Sequence, residues 1–375
     1  MAVSYVTVTE DQAGQRVDRW LRRLFPGLNQ GLIERMCRRG ELRVDGNRVK
    51  PSERIEPGQT VRVPPVRNPD RASEVPGIPG QRKERKLTKA DARIARSLVI
   101  YRDDHLIAVN KPPGLPSQGG SGLSHHLDRL SAAMVPGNED RPRLVHRLDS
   151  ETSGVMLLSR SRLGAARLSE QFRTGRVRKI YWAIVTGLPR PEQGTIRFGL
   201  VKMKSKVGEG TESWQMRCVL PDDVKSTPGA RRATSQYHAV DSVGDELSWL
   251  ALRPITGRTH QLRAHLAEIG HPILGDRKYG RNGPGGNDRI EAAVSSKSVN
   301  SPGKGLHLHA RSISFEHPRT GQSMQLVAQL PESLKKSWEW LGWTESMAPI
   351  DPFPSAADET AEPRGVRGSG MVPGG

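Results

Sequence analysis

The sequence predicts an α+β protein, a domain built on a mainly antiparallel mixed sheet and preceded by a small α/β module. Three observations carry this reading. Residues 1–64 hold two short stretches of helical apolar spacing followed by a hairpin pattern. Residues 98–346 alternate strand-like runs with a few helical segments, strands being the more numerous. Between them, residues 65–97 form a basic Pro/Gly-rich linker without apolar periodicity. A Pro/Gly/Ser-rich tail, 347–375, reads as disordered.

In the first module Val17, Trp20, Leu21 and Leu24 recur at i, i+3, i+4 and i+7, an amphipathic helix that Pro26-Gly27 ends. A second helix runs from Asn29, its N-cap, to Arg39, with Gly40 as its stop. Its stripe is Leu32, Ile33, Met36 and Cys37, while Arg35, Arg38 and Arg39 share another face. Leu42 to Val49, turning at Asp45-Gly46-Asn47, reads as a hairpin.

In the large domain Leu98–Tyr101 and Leu106–Val109 read as strands, and Lys111-Pro112-Pro113-Gly114 as the turn ending the second. Leu144 to Leu148 and Val155 to Leu158 bracket a Ser/Thr/Gly turn, giving a strand, a tight turn and a strand. A helix capped by Ser161 carries Ala165, Leu168 and Phe172 and stops at Gly175. From Val177 to Val185 the chain alternates, with Ile180, Trp182 and Ile184 on one face and Tyr181, Ala183 and Val185 on the other. Thr259, or the turn before it, caps a helix whose Leu262, Leu266 and Ile269 pack inward before Gly270. His307–Phe315 and Ser323–Val327 read as strands around a His-Pro-Arg-Thr-Gly turn. Residues 202–232 and 283–305, rich in Gly, Ser, Lys and Arg, read as exposed inserted loops of low order.

With 375 residues and a formal net charge of +18, the chain is long enough for a sizeable core and suited to a polyanionic partner. Nucleic acid leads, because Lys and Arg on a phosphate backbone release condensed counterions. No apolar run approaches the about 18 residues of a spanning helix, and the N-terminus lacks a basic segment followed by an apolar one. A cytoplasmic location is expected. Cys37 and Cys218 suggest neither a disulfide framework nor a cysteine metal site, and the histidines lack ligand spacing of the HExxH kind. Aromatic residues make up 5% of the chain, so RNA contact should rest on arginine and shape more than on a stacking platform.

The segment richest in chemistry is HRLDSETSG, His146 to Gly154. It sets a carboxylate, Asp149, at a turn two residues from Arg147, on the same strand face by alternation. A charged pair at the rim of a buried hairpin is costly to keep unless it does chemistry. HRLDSETSGVMLLSR resembles the signature of the RluA-type RNA pseudouridine synthases. RVRKIYWAIVTG, Arg176 to Gly187, resembles that family's second element, and GRTHQLRAHLAEIGHPILGDRKYG, Gly257 to Gly280, its third. LHLHARSISFEHPRTG also fits. RVDRWLRR and IERMCRRGELRVDGNRVK resemble an S4-type RNA-binding domain. The likeness covers residues 1–64 and about 98–345, and the layout resembles the large-subunit ribosomal RNA branch, the RluC/RluD type. One departure is Ser117-Gln118, where many relatives carry valine and histidine; it puts nothing catalytic in doubt.

The resemblance implies that Asp149 is the essential catalytic residue, that Tyr181 lies beside it, and that Arg263 pairs with its carboxylate. Arg147 would fill the space left by an extruded base. Arg22, Arg23, Arg35, Arg38 and Arg39 are the expected RNA-binding residues of the S4-like module. The implied reaction breaks the ribose C1′ to base N1 bond, turns the uracil and joins C1′ to C5. It is an isomerisation that requires no redox carrier or group donor, so no cofactor is expected. Asp149 can serve as nucleophile at C1′, as nucleophile at C6, or as the base removing the 2′ proton. Tyr181 can stack on the uracil or take part in removing the C5 proton.

A glycosidase would need a matched carboxylate pair, and only one acid stands in a strong motif. The alternatives are a non-catalytic rRNA-binding or ribosome-assembly factor and a pseudouridine synthase acting on tRNA. An intact Asp149, Tyr181 and Arg263 together favour the enzyme. RNA is the expected partner, no membrane is expected, and a monomer is expected.

Overall fold

The structure is a computed structural model that describes residues 3–12, 14–25, 28–65, 87–119, 125–135, 140–207, 211–280 and 305–354. The chain divides into two compact units between residues 83 and 84.

In the first unit β1 (Ser4–Thr7) is followed by α1 (Val17–Leu24), α2 (Gln30–Arg39), β2 (Arg43–Val44), β3 (Asn47–Arg48) and β4 (Thr60–Val63). The strands form a sheet in the order β1-β4-β2-β3. Asn29 caps α2 as expected, its side chain accepting from the Leu32 N–H, and Gly40 ends it in the left-handed region at φ 69. Val17, Trp20, Leu21, Ile33, Met36 and Cys37 form one buried cluster with strand residues Val44, Val61 and Val63. The predicted stripes therefore pack except at Leu24, which is exposed at the end of α1, while Leu32 is partly buried. Arg22, Arg23, Arg35, Arg38 and Arg39 are all exposed.

The second unit opens with α3 (Lys89–Ser97), inside the segment expected to be a structureless linker. A capping box nucleates it: the Thr88 side chain accepts from the Asp91 N–H while the Asp91 carboxylate accepts from the Thr88 N–H. Only Ala95 of this helix is buried, so its apolar stripe is too thin to register as periodicity. Residues 66–86 of the expected linker lie outside the described residues.

There follow β5 (Val99–Arg102), β6 (Leu106–Lys111), α4 (Leu127–Leu130), β7 (Arg143–Leu144), β8 (Ser153–Ser159), α5 (Arg162–Arg173) and β9 (Arg178–Thr186). Next come β10 (Gln193–Val207), β11 (Thr211–Val219), β12 (Arg231–Val243), β13 (Leu247–Pro254) and α6 (Gln261–Glu268). The last elements are β14 (Leu308–Glu316), β15 (Ser323–Val327) and α7 (Glu332–Trp340). Among the described residues β5 to β15 make one sheet, ordered β11-β10-β12-β13-β9-β14-β8-β6-β5, with β15 on β14 and β7 on β8. Every pairing is antiparallel except β14 with β8, so the expected mainly antiparallel mixed sheet is what forms.

The alternation read in β9 is the division between two cores. Ile180, Trp182 and Ile184 pack with Trp249, Trp338 and Trp343. Ala183 and Val185, with Tyr181 at the margin, pack with Leu262 and Leu266 of α6. A third core, under β6, β8 and α5, holds Leu106, Val109, Met156, Leu158 and Leu168.

Two expectations are corrected. The described part of residues 202–232 is not open loop: β10 and β11 pair from Gly199↔Val219 to Val207↔Thr211 at the sheet edge, and β12 begins at Arg231. The predicted tail is structured at its start, because the Arg178 guanidinium forks onto the Asp351 carboxylate and Phe353 packs beside the tryptophan core. Residues 355–375 of that tail and 283–304 of the second insert lie outside the described residues.

Candidate active site

The sheet register sets the site. Leu252, Tyr181, Ala310, Gly154 and Lys111 stand in one row across β13, β9, β14, β8 and β6. Gly154 sits at φ 116, and a Cβ there would lie 2.2 Å from the Ala310 carbonyl oxygen. Only glycine permits the parallel β8–β14 approach at this point. Asp149 lies five residues before that glycine, in the loop that delivers the chain to β8.

That loop is longer than the tight turn expected. β7 ends at Leu144 and β8 begins at Ser153, so Val145 to Thr152 is irregular. Strand alternation therefore does not relate Arg147 to Asp149. Arg147 is exposed, and no ion pair joins the two among the described residues. Leu148, between them, is buried.

The loop is clamped on both sides of Asp149 by the Lys111–Ser117 segment. Lys111, with no exposed surface, donates from Nζ to the carbonyls of Pro112 at 2.9 Å, Leu115 at 2.8 Å and Ser150 at 2.8 Å. The Gly114 N–H also donates to the Ser150 carbonyl, at 2.9 Å. Burial pushes the Lys111 ammonium down to about 7, with the charges of Glu151 and Asp149 opposing. Three carbonyl acceptors call for three N–H donors, which only the ammonium supplies. On the other side, Ser117 Oγ donates to the Leu148 carbonyl at 2.6 Å and accepts from the Leu148 N–H at 3.1 Å. Ser117, one of the two residues at which the sequence departs from many relatives, thus fixes the residue next to Asp149.

His146 is a structural part of this loop. It stacks on Phe172 at 4.3 Å and accepts the Leu157 N–H at Nε2, while burial pushes its imidazole down to about 3.

Tyr181 approaches from β9. Burial, and then the charge of Asp149, hold its phenol above the usual tyrosine range, so the hydroxyl keeps its proton.

The third side is the turn and helix of Gly257 to Gly280. Buried Gln261 pins the turn, accepting at Oε1 from Thr256 Oγ1 at 2.7 Å and from the Arg258 N–H at 3.1 Å. Its Nε2 donates to Thr234 O and Ser235 Oγ, both at 2.9 Å. The residue that caps α6 is His260, not Thr259. It lies in the left-handed region, φ 51 and ψ 22, which costs a non-glycine residue on the order of 1 kcal/mol and marks a constrained position. Its Nε2 stands 3.7 Å from Asp149 Oδ2, and its Nδ1 is 2.9 Å from Tyr279 Oη.

Arg263 does not pair with Asp149. Its Nε and Nη2 donate to Asp276 Oδ2 and Oδ1, each at 2.7 Å, in a buried two-pronged ion pair. Burial opposes charge on the guanidinium, yet the Asp276 pair outweighs it and leaves Arg263 above its ordinary value, with Asp149 adding from farther off. Asp276 also accepts the N–H groups of Lys278 at 2.9 Å and Tyr279 at 3.1 Å. Arg263 thus shapes the turn that presents Tyr279 and Lys278, and reaches Asp149 only through space. The Asp149 side chain is 30% exposed, open to a substrate on the side these groups leave free. Sequence reading missed His260, Tyr279, Asp276 and Lys111. His260, Asp276 and Tyr279 lie inside the third quoted motif and Lys111 in the turn read at 111–114, yet none carries by itself a signal that separates it from its neighbours.

A partly exposed carboxylate, held between two clamped neighbours and near a tyrosine, a histidine and a buried arginine, has the make-up of a nucleophile or general base. The chain belongs to the RNA pseudouridylate synthase family, whose family model matches residues 105–268, and an S4 domain matches residues 15–61. The chain is 34% identical over 339 residues to ribosomal large subunit pseudouridine synthase C of Escherichia coli (strain K12), with 89% of this chain and 95% of that protein covered. The protein of the same name from Haemophilus influenzae (strain ATCC 51907 / DSM 11121 / KW20 / Rd) is 34% identical over 335 residues, covering 89% of this chain and 94% of that one. Among solved structures, human RNA pseudouridylate synthase domain containing 4 superposes with a TM-score of 0.52 at 28% identity, over 68% of this chain and 97% of that chain. No helix among the described residues is long and apolar enough to cross a membrane.

Proposed function

We propose that this protein isomerises uridines of large-subunit ribosomal RNA to pseudouridine, with Asp149 as the catalytic carboxylate. The substrate class follows from the relatives, which are named as ribosomal large subunit synthases and align with most of this chain. The observation that carries the catalytic assignment is the double clamp on Asp149. Leu148 is held by Ser117 and Ser150 by Lys111 and Gly114, so the carboxylate between them is aimed while its side chain stays partly open.

The uridine must leave the RNA stack to reach this loop, at a cost of a few kcal/mol. Arg147, exposed two residues before Asp149, is suited to fill the vacated space and to contact phosphate. Tyr181, held protonated by burial and by Asp149, is suited to stack on the extruded base. A phenolate acting as base would have to form against both effects. Arg263 acts as a positioning residue through Asp276. The exposed arginines of α1 and α2 supply phosphate contacts in the S4 domain. A monomer working in the cytoplasm is the simplest assembly consistent with a substrate of this size.

Asp149→Asn keeps the shape of the loop and removes the charge. It should abolish pseudouridine formation on ribosomal RNA, read by chemical mapping, while RNA affinity stays within about twofold. An Asp149→Asn protein with full turnover would sink the assignment. Retained turnover on tRNA with none on ribosomal RNA would sink the substrate.

A further inference from the structure

The hydrogen bonds around Tyr279 determine which nitrogen of His260 carries its proton. The Met216 N–H of β11 donates to Tyr279 Oη at 3.0 Å, so that oxygen is already an acceptor. Burial pushes the Tyr279 phenol up to about 12, so it keeps its hydrogen. Its neighbour on the other side is His260 Nδ1, at 2.9 Å and edge-on to the ring at 89°. A phenol has one hydrogen, and donating it to Nδ1 satisfies both groups. With Nδ1 an acceptor, the neutral imidazole carries its hydrogen on Nε2, the atom that faces Asp149 Oδ2 at 3.7 Å. The opposite tautomer would turn a lone pair toward a carboxylate and leave the phenol hydrogen without this acceptor.

We infer that His260 is a positioning residue for the isomerisation: its Nε2–H, set in place by Tyr279, takes Oδ2 of Asp149 and leaves Oδ1 as the oxygen that meets the nucleotide. The inference rests on Asp149 being the catalytic carboxylate. The separation of 3.7 Å is an electrostatic contact that a small side-chain shift on substrate binding converts into a hydrogen bond. The left-handed backbone at His260 holds the ring at this place, and the Arg263–Asp276 pair holds the turn that carries Tyr279.

The titratable groups that face His260 are Asp149 from the β7–β8 loop, Arg263 from α6, and Asp276, Lys278 and Tyr279 from the following turn. Burial lowers the imidazole below its ordinary value. Arg263 and Lys278 lower it further, and Asp149 and Asp276 oppose them. The ring therefore stays neutral at neutral pH, and its single hydrogen has to be the correctly placed one.

The test uses the full-length protein with a ribosomal RNA fragment, single-turnover kinetics, and nitrogen-15 NMR of the histidine rings. His260→Ala should lower the rate constant at saturating RNA about tenfold or more with RNA affinity unchanged, as misplacement of a reacting group does. His260→Gln, whose amide N–H falls near the place of Nε2, should recover most of the rate. In the wild-type protein the His260 spectrum should show hydrogen on Nε2 and none on Nδ1. Tyr279→Phe should shift that spectrum toward the other tautomer or the protonated ring and raise the pH of the acid limb of the rate profile. Hydrogen on Nδ1 in the wild-type protein, or equal rates for His260→Ala and wild type, would overturn the inference. If Asp149→Asn is dead while His260→Ala is fully active, His260 alone fails. An active Asp149→Asn removes both readings. Should His260→Ala not fold, the wild-type tautomer and the glutamine variant decide.

Discussion

Ser117 holds Leu148 by both backbone groups, donating from Oγ to its carbonyl at 2.6 Å and accepting its N–H at 3.1 Å. Both partners are buried, and the next residue is Asp149. Replacing the hydroxyl by hydrogen leaves a buried N–H and C=O unpaired, which costs about 2 kcal/mol. Ser117→Ala should lose that much in urea unfolding and should lower the single-turnover rate several-fold with RNA affinity unchanged, because the aim of Asp149 is what suffers. A variant as stable and as fast as wild type would mean that Lys111 and Gly114 suffice to hold the loop.

The buried fork of Arg263 on Asp276 predicts a strong stability coupling. Arg263→Gln strands a carboxylate with 0% side-chain exposure, and breaking a buried pair in this way costs about 3–5 kcal/mol. Arg263→Gln with Asp276→Asn should recover part of the loss, giving a coupling energy of roughly 1–3 kcal/mol in a double-mutant cycle. The cycle of Arg263→Gln with Asp149→Asn should give far less. The reverse order would restore the direct Arg263–Asp149 pairing that the sequence resemblance implies.

These two cases mark where sequence reading reached and where it stopped. The β9 alternation, the caps of α2, Ser161 before α5 and the turn at Gly270 were legible because period, cap chemistry and backbone sterics are local properties. The β10–β11 pair was not, since its residues are largely polar and it hangs at the sheet edge, so composition resembles a loop. Helix α3 was hidden because a capping box and one buried alanine hold it. The motif carrying Arg263 was visible, but its partner was not. Asp276 lies thirteen residues on, and only the packing of the intervening turn selects it over Asp149. His260 was likewise one histidine among several until its backbone conformation and its two neighbours were known.

Three buried histidines and the half-buried His146 predict acid lability. Burial pushes His146 down to about 3 and His265, His307 and His309 down to about 4. Each folded value lies below the unfolded one of about 6.5. The unfolded chain therefore gains protons first as pH falls, and stability present above about pH 6.5 is lost between there and about pH 4. Each histidine contributes at most about 1.36 kcal/mol per pH unit in that window. His265 is the cleanest probe, for neither ring nitrogen has a partner among the described residues and the ring lies edge-on to Phe198 at 6.0 Å. His265→Phe should match or exceed wild-type stability at pH 7.5 and should show a shallower decline toward pH 5 in urea melts. Parallel declines for the two proteins would show that His265 takes up its proton equally in the folded and unfolded chains.

The exposed arginines of the S4 domain predict a salt signature separable from catalysis. Arg22 and Arg23 end α1, and Arg35, Arg38 and Arg39 line α2. Arg39 has a weak exposed partner in Glu41 at 3.7 Å, and Arg22 reaches the Asp18 carbonyl at 3.3 Å. Neither contact is strong enough to withhold the side chain from a phosphate. Each arginine that neutralises a phosphate adds about 0.7–0.9 to the slope of log affinity against log salt. Changing all five to glutamine should therefore weaken RNA binding at low salt and cut that slope by roughly 3.5–4.5 if each meets a phosphate. The rate at saturating RNA should stay that of wild type, since Asp149 and its clamps belong to the other unit. An unchanged slope would assign these arginines to a solvated face and move the phosphate contacts to the larger unit.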